Sequence, residues 1–269
     1  MGLHDAAGPI GVFDSGLGGL TVARALLDLL PDEDLVYFGD TGRFPYGPKP
    51  ADDVLKYSFE IVDLLLERGV KMIVVACNSA SAAALEDLRD RLDLPVVGVI
   101  EPGVRAAVRA TQTGRVGVIG TVGTISSGAY QRAAADLAPE LTLTCAACPG
   151  FVEFVENDDV GSDQVHVLAE RLLAPVRAAD VDTLVLGCTH YPLLARTIGD
   201  VMGRDVVLVS SADETAFEVR ALLGEPSGRG RRTERRVRFM SSGDVAVFRR
   251  LGARFLGPEV QDVEAWSWS

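Results

Sequence analysis

The stretch "VDTLVLGCTHYPLLARTIGDV" (residues 181–201) decides how the chain is read. A β-forming run from Thr183 to Leu186 stops at Gly187, and Cys188, Thr189 and His190 follow at once. The chain has only 3 histidines, and one stands two residues after a thiol. An earlier stretch, "VKMIVVACNSASAAALEDLRD" (70–90), has the same plan: an apolar run, a cysteine, two polar residues, then a helical pattern. Both apolar runs are continuous rather than alternating, as in parallel strands buried on both faces.

Working outward, strands and helices alternate. "PIGVFD" (9–14), "DLVYFGD" (34–40), "VKMIVVAC" (70–77) and "PVVGVI" (95–100) read as strands. Between them "GGLTVARALLDLLP" (18–31), "ADDVLKYSFEIVDLLLERG" (51–69) and "SAAALEDLRDRL" (81–92) read as helices. Pro31 ends the first, Asp52 and Asp53 open the second, and Gly69 closes it. The segment "GRVGVIGTVGTISSGAYQRAAADL" (114–137) then resembles the opening strand–glycine–helix unit, with Gly117 placed like Gly11. Gly11 and Gly117 lie 106 positions apart and Cys77 and Cys188 lie 111 apart, as a duplicated α/β unit would give. Units of this kind also look alike by chance, but a cysteine at the same point after the strand in both halves favours duplication. The expected fold class is α/β: two pseudo-symmetric doubly wound domains with mainly parallel sheets and the active site between them.

Composition narrows the function. With 269 residues, 48% of them hydrophobic, the chain can bury one large or two small cores. A net charge of −12 and a pI of about 4.7 argue against a nucleic-acid binder, and no apolar run is long enough to span a membrane. The opening "MGLHDAAGPIGVFDSG" has no charged-then-apolar leader, and Ala6 breaks the myristoylation pattern that Gly2 begins. Four cysteines without a leader are read as reduced cytoplasmic thiols, not a disulfide framework.

In open parallel sheets, ligands bind beyond the carboxyl ends of the strands. Cys77 and Cys188 are both expected there, each before a helix whose N-terminus lowers a thiol's pKa. A single such cysteine is most simply a small buried hydrophobe. Two of them, followed by Asn78-Ser79 and by Thr189-His190, point to a ligand held between two thiols. One base on each face of a carbon is what a racemase needs, one group as thiolate and the other as thiol. The usual alternative for amino acids, pyridoxal phosphate, needs a Schiff-base lysine. Only Lys49, Lys56 and Lys71 exist, in a loop between two prolines, a helix and a strand start; none has the look of a cofactor anchor, and Lys49 alone stays open as one. No cofactor and no metal are expected.

The motifs "GVFDSGLGGLTV", "GDTGRFPYGP", "ACNSAS", "GVIGTVGTI", "CPGFVEFVE", "LGCTHYPLL" and, more weakly, "FMSSGD" resemble the cofactor-independent aspartate/glutamate racemase family, in its glutamate racemase branch. The resemblance runs from Gly11 to about Ser211 and, less surely, to Gly257. It implies interconversion of L- and D-glutamate, with D-glutamate supplied to peptidoglycan. It matches Cys77 to the base facing D-glutamate, Cys188 to the base facing L-glutamate, Asp14 to a carboxylate assisting the first thiol, and His190 to a partner of the second. Residues two apart in an extended chain point the same way, so Cys188 and His190 are expected to share a face. The resemblance also implies substrate contacts from Asp14, Ser15, Tyr46, Gly47, Asn78, Ser79, Thr121, Thr189 and His190. Asp40 and Glu156 match acidic positions near the site, where hydrogen-bonded structural carboxylates are an equal reading. It further implies a division into a first domain of residues 1–98 plus 208–269 and a second of 99–207, and a homodimer. Two departures stand out: Ser79 where the family has threonine, and Glu153 in place of a proline.

Other features carry less. "CAAC" (145–148) has redox or zinc spacing, but with no second pair and no nearby histidine Cys145 and Cys148 are read as core or site-edge residues. "GLGG" (16–19) hints at a dinucleotide loop, yet Thr21 takes the third glycine position and Asp14 would repel a pyrophosphate. "SGRGRRTERR" (227–236) is a solvated basic linker. His4 and His166 are assigned no role. Three functions follow: a glutamate racemase, a sister enzyme acting on aspartate or another acid, or a ligand-binding module without chemistry.

Overall fold

The computed structural model describes residues 7–224 and 235–268; His4, Gly2, Ala6 and most of the basic linker lie outside them. Ten strands form two sheets, and every pairing in both is parallel. The first sheet uses β1 (Ile10–Asp14), β2 (Leu35–Gly39), β3 (Met72–Val75) and β4 (Val96–Val97). The second uses β5 (Arg115–Gly120), β6 (Thr142–Ala147), β7 (Thr183–Gly187) and β8 (Val207–Val209). The chain then returns to the first sheet with β9 (Val237–Ser241) and β10 (Val263–Ala265).

The strand orders are β10-β9-β2-β1-β3-β4 and β6-β5-β7-β8. Without the returning pair, the two orders are the same topology written twice: β5 plays β1, and β7 plays β3. The predicted repeat is present in the connectivity, with Gly11 in β1 and Gly117 in β5. Each glycine lies where a Cβ would meet a neighbour, Val70 at 2.9 Å and Leu184 at 2.8 Å respectively.

The helices are α1 (Leu20–Leu29), α2 (Ala51–Glu67), α3 (Asn78–Arg91), α4 (Ile100–Ala110), α5 (Val122–Ser126), α6 (Ala129–Leu137), α7 (Phe151–Glu156), α8 (Asp163–Ala178), α9 (Ala195–Met202), α10 (Ala212–Leu223) and α11 (Val245–Leu256). They cover both faces of each sheet. Alternate residues of β1 to β3 feed opposite cores: Ile10, Val12, Tyr37 and Val74 pack with α1, α10 and α11, while Phe13, Phe38, Ile73 and Val75 pack with α2 and α3. The second sheet does the same, with Ile119 and Leu186 towards α8 and α9 and Val116, Val118 and Val185 towards α4 and α6. Continuous aliphatic strands are the sequence signature of this double covering.

Two boundaries differ from the sequence reading. The predicted strand at 95–100 shrinks to Val96–Val97, because Gly98 turns the chain and Ile100 already opens α4. The helix expected from residue 81 begins at Asn78, directly after Cys77, which caps it in an extended conformation (φ −79°, ψ 125°). Among the described residues, no helix is long and apolar enough to cross a membrane. Two ion pairs tie α4 to α10: Arg109 Nη1 to Glu214 Oε1 at 2.5 Å, and Arg105 to Glu218.

Candidate active site

With the β2-β1-β3-β4 order, the switch point lies between β1 and β3, where a ligand crevice is expected beyond the carboxyl ends. Asp14 ends β1 and Cys77 follows β3. In the second unit the matching point lies between β5 and β7, where Thr121 and Cys188 follow the strands. One cleft joins the two points, with about 610 Å³ of empty space that runs out into open solvent. Cys77 and Cys188 both line it. So do Ser15, Tyr46, Gly47, Asn78, Ser79, Thr121, Thr189 and His190. Asp14, Glu156 and Asp40 sit behind this wall, in contact with it through Thr189, His190 and Tyr46 respectively.

Around the first thiol, Asp14 is fully buried and accepts the Gly16 backbone N–H at 3.0 Å through Oδ2. The "GLGG" loop therefore coordinates a carboxylate of its own chain rather than a phosphate. Burial pushes the Asp14 carboxyl up, and His190, the Gly19 and Gly16 amides and Cys77 oppose that rise without cancelling it. Thr189 Oγ1 donates to its Oδ1 at 3.4 Å, a link between the two units. Cys77 Sγ lies 3.7 Å from Ser15 Oγ.

The expectation that a helix start lowers the Cys77 pKa is corrected here. Burial, and then the Asp14 charge, push the thiol up to about 12, outweighing the Ala80 backbone amide and Ser15. In a buried site the desolvation of a thiolate exceeds the pull of one helix end.

Around the second thiol the sequence reading is corrected twice. Cys188 does not precede an α-helix directly: a 3₁₀ turn, Tyr191–Leu194, intervenes before α9. Cys188 and His190 do not meet through strand alternation either. His190 has turn angles (φ −82°, ψ −27°) rather than extended ones, and both side chains line the cleft. His190 Nε2 meets Glu156 Oε1 at 2.7 Å. Burial lowers the pKa of His190, but its hydrogen bonds to Cys188 and Glu156, with the charges of Cys188 and Asp14, carry it up to about 10. The ring packs against both Phe44 (centroids 5.6 Å) and Phe255 (5.8 Å).

The hydroxyls cluster. Ser79 Oγ lies 3.0 Å from Thr121 Oγ1 and 3.3 Å from Thr124 Oγ1, so the serine keeps the hydroxyl contact across the cleft. Tyr130 donates to Asn78 Oδ1 at 2.8 Å, leaving the Asn78 amide N–H₂ as the donor end. Gly47 and Gly123 approach closely: Gly123 N donates to Gly47 O at 2.9 Å. A Cβ on Gly47 would stand 2.7 Å from Thr121 Cβ, so only glycine lets the loop seat there.

Asp40 has no share of the cleft surface. It is fully buried, with Arg43, Tyr46, Ser242 and Trp268 all donating to its two oxygens. Glu153, the departure from the family pattern, lines the cleft and is exposed. Cys148 also lines the cleft while Cys145 lies on β6, and all four cysteines are free. Among the described residues, no group of side chains has a metal-ligating arrangement. Lys71 Nζ pairs with Glu33 at 2.7 Å at the far end of β3, Lys56 pairs with Glu60 on α2, and Lys49, next to the lining residue Pro48, has its Nζ 6.0 Å from the Tyr57 ring centroid. His166 lies on α8, beside Glu170 at 3.9 Å.

Sequence reasoning missed Tyr130, Phe44, Phe255 and Trp268. Phe44 stands in the quoted motif "GDTGRFPYGP" beside Tyr46, a signal that could have found it, whereas Tyr130, Phe255 and Trp268 stand in none and reach the site only through the fold.

A family model for Asp/Glu/hydantoin racemases matches residues 16–218. A glutamate racemase of Beutenbergia cavernae is 55% identical over 268 residues, spanning 95% of this chain and 91% of that one. The crystal structure of a glutamate racemase isoform from Bacillus anthracis matches with a TM-score of 0.91 at 41% identity, covering 98% of both chains. That of the Francisella tularensis glutamate racemase in complex with D-glutamate matches with a TM-score of 0.89 at 34% identity, covering 97% of both. Two parallel sheets of one topology, each delivering a cysteine to a shared cleft, thus coincide with similarity over almost the whole length, and the chain belongs to the Asp/Glu/hydantoin racemase family.

Proposed function

We propose that the protein is a glutamate racemase working by proton transfer between two cysteines at the α-carbon. The observation that carries this is the pair of thiols: Cys77 and Cys188 leave topologically equivalent strand ends and line one cleft. The relatives named above are glutamate racemases, and one of them is seen with D-glutamate.

In this reading Asp14 takes the Cys77 proton, and the thiolate removes the α-proton of D-glutamate. The electron pair stays on the α-carbon, delocalised into the carboxyl. The Cys188 thiol then delivers its proton to the opposite face, giving L-glutamate and a Cys188 thiolate beside the His190 imidazolium. The reverse reaction begins from that thiolate. A raised Asp14 pKa suits the first step, because a carboxylate of ordinary acidity is a poor base for a thiol. The buried imidazolium suits the second, since it supplies the positive charge that a buried thiolate lacks. The hydroxyls of Ser79, Thr121 and Thr189 and the Asn78 amide receive the substrate carboxylates. Ser15, Tyr46 and Gly47 complete the wall.

The same reading assigns residues 1–98 with 208–269 to one unit and 99–207 to the other, hinged about the ligand. It assigns a cytoplasmic, homodimeric enzyme that supplies D-glutamate for peptidoglycan.

Incubation with D-glutamate in heavy water, without added cofactor, tests the function. Exchange at the α-carbon with L-glutamate appearing supports it; exchange only with aspartate overturns the substrate, and none with either overturns the chemistry. Cys77→Ser and Cys188→Ser should each nearly abolish racemisation with the unfolding midpoint retained. Near-wild-type turnover in either variant excludes the two-base scheme.

A further inference from the structure

The described chain ends in Trp266-Ser267-Trp268, which has no place in the cleft lining. Trp268 nevertheless touches what holds that lining in position. Its indole Nε1 donates to Asp40 Oδ1 at 2.9 Å. Its ring covers the Arg43 guanidinium at 3.9 Å, and the Tyr57 ring covers the same group at 4.1 Å. The indole meets Phe38 edge to face, with centroids 5.5 Å apart. Arg43 Nε donates to Asp40 Oδ2 at 2.6 Å, and the Tyr46 hydroxyl donates to the same oxygen.

The loop of residues 41–48 follows β2 and forms one wall of the cleft through Phe44, Pro45, Tyr46, Gly47 and Pro48. It also reaches the second unit, where Gly47 O accepts from Gly123 N and Phe44 packs against His190. Two side chains of this loop, Arg43 and Tyr46, are anchored on Asp40. Asp40 is in turn fully buried and satisfied by groups distant in sequence, Ser242 and Trp268.

We propose that Trp268 is a positioning residue for the racemase reaction: through Asp40 and Arg43 it holds the 41–48 loop, and with it the Tyr46–Gly47 wall, in the substrate-binding geometry. The proposal rests on the racemase reading of the cleft. One indole performs two tasks. Its N–H satisfies a buried carboxylate, and its face stacks on the arginine that pairs with that carboxylate. Phenylalanine retains only the face, and alanine retains neither. Losing both lowers the fraction of molecules with the loop seated, and the apparent affinity for substrate falls by that fraction.

The test compares Trp268→Phe and Trp268→Ala with the wild type. Trp268→Ala should raise KM for D-glutamate by about tenfold while kcat stays within about twofold, and Trp268→Phe should fall between. Amide hydrogen exchange at Gly42, Arg43, Phe44, Tyr46 and Gly47 should quicken in the same order, without substrate present. A merely structural role would move the unfolding midpoint but not KM or this local exchange, and that result overturns the proposal. A fall in kcat at unchanged KM also overturns it. Should Trp268→Ala fail to fold, Trp268→Phe decides alone: faster loop exchange with a smaller rise in KM supports the proposal, and wild-type values of both overturn it. Inactivity of the wild type on D-glutamate would count against the racemase reading, whereas the exchange rates of the loop still answer for Trp268.

Discussion

Replacing Glu156 by glutamine keeps the size and the Oε1 acceptor but removes the negative charge 2.7 Å from His190 Nε2. A hydrogen bond between charged groups contributes about 1.5–3 kcal/mol. At about 1.4 kcal/mol per pH unit, its loss should bring His190 down by about 1 to 2 from its value of about 10. The raised value has a sign for stability as well. A histidine that holds its proton more tightly when folded stabilises the fold fully below its unfolded pKa of about 6.5. That contribution is lost as pH rises towards 10. In Glu156→Gln the upper end of the window should move down with the pKa. The assay is an NMR titration of the imidazole signals, assigned by substitution, which is simple with only 3 histidines. Urea unfolding at a series of pH values accompanies it. A His190 that titrates near 6.5 in the wild type, or an unchanged titration in Glu156→Gln, refutes the argument that these hydrogen bonds and charges outweigh burial.

A Cβ on Gly18 would stand 2.3 Å from Thr189 Oγ1 and 2.6 Å from His190 Nδ1, so Gly18→Ala should cost about 1–3 kcal/mol by overpacking and should lower racemisation further by displacing His190; equal stability and rate in a urea titration and a turnover assay would show that the two units do not meet there as described. Asp182 lies before β7, at the end away from Cys188, where partial burial pushes its carboxyl up but hydrogen bonds from Thr111, Gln112 and Thr113 hold it well below the usual range. Asp182→Asn should therefore be less stable than wild type at pH 7, the gap closing as pH falls below about 4, with racemisation of the folded variant unchanged; acid titration followed by circular dichroism checks this.

How much of this was legible in the chain differs from element to element. The buried strands were readable because parallel strands covered on both faces leave unbroken aliphatic runs such as "MIVV" and "TLVLG". The repeat was readable because equivalent strand ends carry the same residue type. Val96–Val97 was over-extended because Gly98 and Ile100 suit a strand as well as a turn and a helix start, and only packing decides between them. Around the site, Cys77, Cys188, Asp14 and His190 stand in local motifs. What surrounds them does not. Tyr130 reaches Asn78 from α6, Phe255 reaches His190 from α11, and Trp268 reaches Asp40 across 228 positions of chain. The acidity of Cys77 was misjudged for a related reason: a helix start is visible in sequence, while burial beside a carboxylate is a property of the fold.

The sameness of the two strand orders has a consequence for handedness. Two copies of one fold made of L-amino acids are related by rotation and translation, whereas D- and L-glutamate are related only by reflection. Doubling the architecture can therefore bring a sulfur atom to each side of a carbon, but it cannot make the surroundings of those atoms mirror images. The side chains have to break the repetition, and they do: Gly120 ends β5 where Asp14 ends β1, and His190 stands where the first half has Ser79. An inhibitor designed to exploit either half alone would meet a different acid–base neighbourhood from the one it would find in the other.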